Sequence, residues 1–469
     1  MTFRPPSKSL TPRDYLFITF VVILFLIVST MLISANLTLK GGGDFYVHWV
    51  AGRAFLFDKI DPYGAEIPVR VQELVYGGPA QAGDEPYILD TPFHILLLYF
   101  PFSLLSDPQI ARAIFTLILE LALFSLALLS LRLTDWATPP TFVVLFILFC
   151  IFNFYAFQAL LEASPVLLLG LIYASILLAL RAGQDELAGA LMAVSLYHWE
   201  VGAPFLFLVA WRVYREGRGR VLAGFGMLSF TLITASILWY PNWIIPFLRA
   251  GLNNLRSDFG FTTHEVFAQI FPSQNGALAW VFIGILIITL GYEWSTAHSA
   301  DLRKFYWTCC LSLAAAPLLG FRTEMGHLAV LVIPLALIFA VVHDRWQSVR
   351  NGLPILLLLV VFLVPWAGYF FGLPRFDRLA REIMFLFLPL FTIIGLYWIR
   401  WWAIRPPRTW ADLANRQSGL GTPSKIIRAT RPPIVNRKSH VIPNLFPFIH
   451  IWLDFACHHR AISAGPWLS

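Results

Sequence analysis

Residues 15–33 read YLFITFVVILFLIVSTMLI, an apolar run broken only by hydroxyl side chains such as Thr19, Ser29 and Thr30. At about 1.5 Å per residue a helix of that length covers about 28 Å, close to the hydrocarbon thickness of a bilayer. A cleaved signal has a shorter apolar region, about 7–15 residues. Arg4, Lys8 and Arg13 precede the run. The reading is a retained first membrane helix with its N-terminus in the cytoplasm.

Working outward, further apolar segments fall near 92–105, 110–131, 140–157, 164–181, 188–211, 221–240, 276–292, 305–319, 328–342, 353–371 and 383–402. With the first they make twelve, and the expected fold is an all-α polytopic membrane protein of about ten to thirteen spans. The segment at 92–105 is short enough to be re-entrant. Composition agrees. The 469 residues are 58% apolar and 13% charged, with 41 Phe and 17 Trp. A soluble domain is about a quarter charged. An ordinary cytosolic enzyme, a disordered chain and a secreted disulfide module are thereby excluded. The four cysteines show no ligand spacing, and neither a metal nor any other cofactor is expected.

Charge sets the predicted topology. Residues 403–469 hold nine basic and two acidic side chains, so the net +7 of the whole chain sits entirely in this tail. The expected organisation is a cytoplasmic N-terminus over 1–14, a membrane domain over 15–402 with an external loop at 36–91, and a basic, disordered cytoplasmic tail over 403–469. Arg212, Arg215, Arg218, Arg220, Arg303, Lys304, Arg345 and Arg350 fall in loops on the tail's side. The loop at 37–91 carries Asp44, Asp58, Asp61, Glu66, Glu73, Asp84, Glu85 and Asp90 against four basic residues, which places it outside. Within it, Phe45–Phe57 is read as a short helix lying on the membrane. No basic groove with interleaved aromatics suggests nucleic acid. No phosphate-binding loop, H-E-x-x-H or G-x-S-x-G occurs.

Four places carry candidate chemistry. Asp44, in Gly41-Gly42-Gly43-Asp44-Phe45-Tyr46, lies just past the outer end of the first helix. A carboxylate with apolar walls suits proton transfer; the same position equally suits a helix cap. Arg322, Glu324 and His327 lie in Gly320–His327 on the same predicted side. Arg322 can hold a phosphate by paired hydrogen bonds, and His327 can assist it; a polar turn between two helices is the plainer reading. His198-Trp199-Glu200 lies inside an apolar segment, where ionisable groups face a partner or a cavity. Arg375, Arg378 and Arg381 fit either a polyanionic headgroup or an anchor at the last span. Tyr46, beside Asp44, is a further candidate for substrate contact. Glu162, Glu120 and Asp107 are read as structural.

The order of these features resembles glycosyltransferase family 87, within the multi-spanning C-type glycosyltransferase fold. The matching residues are Asp44-Phe45-Tyr46, then Ala51-Gly52-Arg53-Ala54 and Asp61-Pro62-Tyr63, and then Tyr87–Pro101. Leu187–Leu191, Trp211–Arg215 and Gly326-His327 with Pro334 complete them. The resemblance covers about residues 10–400. It implies transfer of a hexose, often mannose, from a polyprenyl-phosphate sugar to a glycolipid or cell-envelope acceptor at the outer face of the cell membrane. It further implies Asp44 as general base and His327 near the donor phosphate, where Arg322 and Arg375 are candidates too. The chain departs from the family's Lys-Pro pair at His198-Trp199-Glu200-Val201, from its Gly-Gln-x-Asn-like stretch at Leu161–Pro165, and from its double proline at Thr91-Pro92. The rival readings are a membrane transporter or lipid flippase, with His198 and Glu200 along the path, and a silent scaffold in envelope assembly.

Overall fold

The computed structural model describes residues 12–38, 41–81, 84–134, 140–254, 260–274, 276–297, 301–346, 352–372 and 378–404. Arg375 and almost all of the basic tail therefore lie outside the described residues. The chain divides into two compact units, one of Met1–Val28, Ala137–Leu145 and Pro423–Ser469, the other of Ser29–Trp136 and Phe146–Thr422. The described part of the first is helical, and the site discussed below lies wholly in the second.

The architecture is all-α, with one isolated antiparallel bridge, Phe261 to Thr323, among the described residues. The first half runs α1 (Pro12–Thr38), α2 (Gly43–Arg53), α3 (Glu66–Tyr76), α4 (Phe93–Ser103), α5 (Pro108–Leu133), α6 (Pro140–Phe152), α7 (Phe154–Leu161), α8 (Val166–Ala182) and α9 (Asp185–Val194). The second half runs α10 (Trp199–Arg215), α11 (Gly219–Trp239), α12 (Ile244–Asn254), α13 (Thr263–Ile270), α14 (Ala277–Ala297), α15 (Leu302–Ala315), α16 (Val332–Arg345), α17 (Gly352–Gly372) and α18 (Arg378–Ile404).

Among the described residues eight helices are long and apolar enough to cross a membrane, and nine if the bent pair α6–α7 counts as one span. The protein is thus a polytopic membrane protein. Three of the twelve apolar segments form, among the described residues, helices shorter than the about 20 residues of a typical span. The segment at 92–105 becomes α4, 164–181 becomes α8 and 305–319 becomes α15, with 11, 17 and 14 residues. Hydropathy reports burial, and a short helix packed inside a bundle is as apolar as a span.

The helix expected at Phe45–Phe57 is packed among other helices and is not an exposed amphipathic one. It is α2 followed by a π turn, Ala54–Asp58, and nine of the eleven α2 residues are buried. Apolar residues surround its axis on every side, and such a helix belongs in a core.

Polar side chains end and bend the helices that matter for the site. Asp107 caps α5, accepting from the Gln109 and Ile110 amides at 2.8 and 3.1 Å, with Pro108 opening the first turn. Asn153 causes the 51° bend between α6 and α7. Its Oδ1 accepts from the Ala156 amide at 3.0 Å, and its Nδ2 donates to the Phe149 and Cys150 carbonyls. One amide thus closes the end of one helix and opens the next. α1 is tied to α5 by Ser29 Oγ donating to Glu120 at 2.8 Å and by Thr116 donating to Asn36 at 3.3 Å. Glu120 and Asp107 are structural, as read from the sequence. Arg400 Nη2, 3.0 Å from both carboxylate oxygens of buried Glu293, ties α18 to α14.

Candidate functional site

The site forms where four loops meet. Gly41 and Gly42 end the link after α1 with φ of 131° and 86°. A Cβ on Gly42 would lie 2.5 Å from Arg112 Cδ, so the bare backbone lets that buried arginine lie flat against the chain. Arg112 donates to the Leu161 carbonyl at 2.8 Å and sits 5.9 Å from the Tyr46 ring. The Gly43 amide, at the start of α2, donates to Glu162 Oε2 at 3.1 Å. A carboxylate there meets the positive end of the helix dipole. Gly42 caps α2, so Asp44 is in its first turn and does not serve as the cap.

One turn on, His48 Nδ1 donates to the Asp44 carbonyl at 2.8 Å, and its Nε2 accepts from Thr91 Oγ1 at 3.0 Å. Its ring stacks on Tyr99 at 4.3 Å. Burial lowers its pKa to about 4, so it stays neutral and orients α2.

The stretch from Gly77 to Thr91 brings Glu85 and Asp90. The Glu85 amide donates to the Tyr76 hydroxyl at 3.1 Å, and Asn254 donates to Asp90 Oδ2 at 2.7 Å. The loop 319–325 brings Glu324. Its path is fixed by the two bridge hydrogen bonds between Phe261 and Thr323, both 2.9 Å.

The Asp44, Glu85 and Glu324 carboxylates converge, each offering an oxygen within 4.8 Å of the others. All three keep partial solvent access. Burial among protein atoms raises the Asp44 pKa to about 6, with Glu162 adding repulsion and Ser164 and His198 opposing. Burial likewise pushes Glu85 and Glu324 well above the carboxylate range, helped for Glu85 by Glu324 and Asp44 and for Glu324 by Asp44 and Glu162. Asp90 is raised by burial as well.

The imidazoles complete the group. The Glu324 amide points at His327 Nδ1 at 3.5 Å. The His327 and His198 rings are 5.6 Å apart. His198 Nδ1 donates to Glu200 at 2.8 Å. These two residues sit at a break, where a 3-10 turn, Ser195–His198, gives way to α10 and Gly202 leaves helical geometry. Trp199 is exposed and packs edge-on against Phe321 at 5.0 Å.

Asp44, Glu324, His327, His198 and Glu200 thus come together. Arg322 turns to Glu265 at 3.2 Å. Tyr46 is buried against Arg112, behind Asp44. Arg381 is exposed, and Arg375 lies outside the described residues. Sequence reasoning missed Glu85, Arg112 and Ser164, and read Glu162 as structural. The one available signal for Glu162 was its place within a segment already marked as unusual, Leu161–Pro165. Of three non-glycine residues with positive φ among the described residues, two flank this centre, Tyr87 at 53° and Ala163 at 49°. Backbone strain of this kind gathers where surrounding packing holds a site in shape. No protein-family model and no curated protein sequence matches the chain.

Proposed function

We propose that this protein is a membrane glycosyltransferase, moving a hexose such as mannose from a polyprenyl-phosphate donor to a glycolipid or cell-envelope acceptor at the outer face of the plasma membrane. One observation carries the reading. The Asp44 carboxylate meets the Glu324 carboxylate within 4.8 Å, on the loop that leads directly into His327. Residues about 280 positions apart supply a proton acceptor and a proton donor to one place.

The chemistry follows from these groups. The acceptor hydroxyl attacks the sugar's anomeric carbon and gives its proton to Asp44. The bond from that carbon to the phosphate oxygen breaks, and the lipid phosphate leaves with the electron pair. With a pKa of about 6, Asp44 is ionised at neutral pH yet more basic than an ordinary aspartate. His327 and His198, whose rings are 5.6 Å apart, would supply hydrogen-bond donors to the departing phosphate, with Glu200 holding His198 in place. Arg322 belongs to the same loop as a phosphate ligand, with Glu265 holding it ready.

A second reading has its own support. The helical break at 195–202 carries His198 and Glu200, and interrupted helices mark substrate paths in transporters. One set of variants separates the two. Transfer from polyprenyl-phosphate mannose by purified protein should fall about 10²–10⁴-fold in Asp44→Asn, with the melting temperature kept. A transporter instead loses flux in His198→Ala and keeps it in Asp44→Asn. Full transferase activity in Asp44→Asn removes Asp44 as the base.

A further inference from the structure

The convergence of Asp44, Glu85 and Glu324 gathers three carboxylates at one place. Among the described residues, no lysine or arginine pairs with any of the three. Glu162, Asp90 and Glu200 add further negative charge around them. Among the influences on Asp44, the Ser164 hydroxyl and His198 oppose the repulsion of the neighbouring acids.

Distance is the next test. Two oxygens on one ion lie at most twice the metal–oxygen distance apart. That limit is about 4.2 Å for Mg²⁺-like ions and about 4.6–5.2 Å for Ca²⁺. All three pairs lie within 4.8 Å; three oxygens evenly spaced at that limit stand about 2.8 Å from a common centre, so closure by a few tenths of an ångström reaches the Ca²⁺ range of about 2.3–2.6 Å, and a smaller ion needs about 0.7 Å.

A second observation concerns a hydroxyl beside the acids. Ser164 Oγ is buried next to the Asp44 carboxylate, near enough to favour its ionised form, yet it makes no hydrogen bond of normal geometry. The Tyr99 hydroxyl is likewise buried without a partner, within the electrostatic reach of Asp44. A buried hydroxyl beside an acidic centre, as Ser164 is, can complete a hard cation's shell directly or through water.

We infer that Asp44, Glu85 and Glu324 bind one divalent cation of the Ca²⁺, Mn²⁺ or Mg²⁺ class, with Ser164 beside it. The ion shares Asp44, taking one carboxylate oxygen and leaving the other to the acceptor hydroxyl. It draws its ligands from α2, the 77–92 stretch and the 319–325 loop, so it also clips these three pieces together. The ion site holds whichever reaction is performed there.

The test uses full-length protein in nanodiscs, freed of metal by chelation, with no donor or acceptor present. Mn²⁺ is followed by loss of its free-ion paramagnetic resonance signal, and Ca²⁺ by calorimetry. One ion per chain is expected. Glu85→Gln and Glu324→Gln should each weaken binding at least tenfold, and Asp58→Asn, far along the loop, should not. Melting temperature should rise with ion concentration in the wild type and stay flat in Glu324→Gln. Wild-type protein that takes up neither ion at millimolar concentration overturns the site, as does unchanged binding in both glutamine variants. Metal binding without sugar transfer would sink the transferase reading and leave the ion standing; transfer without metal binding does the reverse.

Discussion

Arg322 shows how a residue's meaning depends on its neighbour. Its pairing with Glu265 is only partly buried, and such ion pairs contribute about 0–1 kcal/mol. Removing it should scarcely change stability. A guanidinium on a donor phosphate is different, because a charge-assisted hydrogen bond contributes about 1.5–3 kcal/mol. Arg322→Gln is therefore expected to raise the donor KM about tenfold or more while the melting curve barely moves. An unchanged KM would leave Arg322 a loop-holding residue and nothing else. Gly42 makes a similar point from the opposite direction. It carries no chemistry, yet both its φ of 86° and the side chain of Arg112 lying on it exclude a larger residue.

At the scale of elements, α9 and α11 cross with their backbones in close approach. A Cβ on Gly189 would fall 1.9 Å from the Val221 carbonyl oxygen, and one on Gly224 would fall 2.2 Å from that of Glu186. Backbone atoms cannot step aside as a side chain can, so overpacking here should cost about 1–3 kcal/mol or more. Gly189→Ala is expected to lower the melting temperature in detergent clearly. Gly226→Ala, on the same α11 but facing open space, should leave it level or slightly higher. Equal behaviour of the two variants would remove the close crossing. The bend at Asn153 matters for function in the same way, since α7 beyond it ends at Glu162 and so aims that carboxylate at α2.

For the whole molecule, exposure sorts the apolar helices into lipid-facing and central ones. On α11, Met227, Phe230 and Leu238 are 75%, 72% and 78% exposed, whereas nearly all of α16 is buried. A photoactivatable lipid should label α11, α14 and α17 and spare α16. The predicted orientation has its own check. Asp84 and Arg220 are both exposed, the first in the acidic loop and the second in a basic one. In intact cells a membrane-impermeant thiol reagent should label Asp84→Cys and not Arg220→Cys. Cys150, Cys309 and Cys310 are buried and should stay silent. Labelling of Arg220→Cys alone would invert the topology and remove the outer-face site.

The sequence by itself determined that the chain is helical and membrane-spanning, because hydropathy over a span-length window is a local property of the residues. It also marked Asp44, His198, Glu200, Glu324 and His327, since ionisable groups at or within apolar segments are costly wherever the chain carries them. It could not separate spans from short buried helices such as α4 and α15, because both bury the same kinds of side chain. Only the tertiary structure decided that Glu85 and Glu162 belong beside Asp44, that Arg322 turns to Glu265, and that the acids meet at metal-binding separations. Those facts are distances between residues far apart in the chain, set by a capping asparagine, two glycines and a backbone bridge, and no local pattern of side chains encodes them.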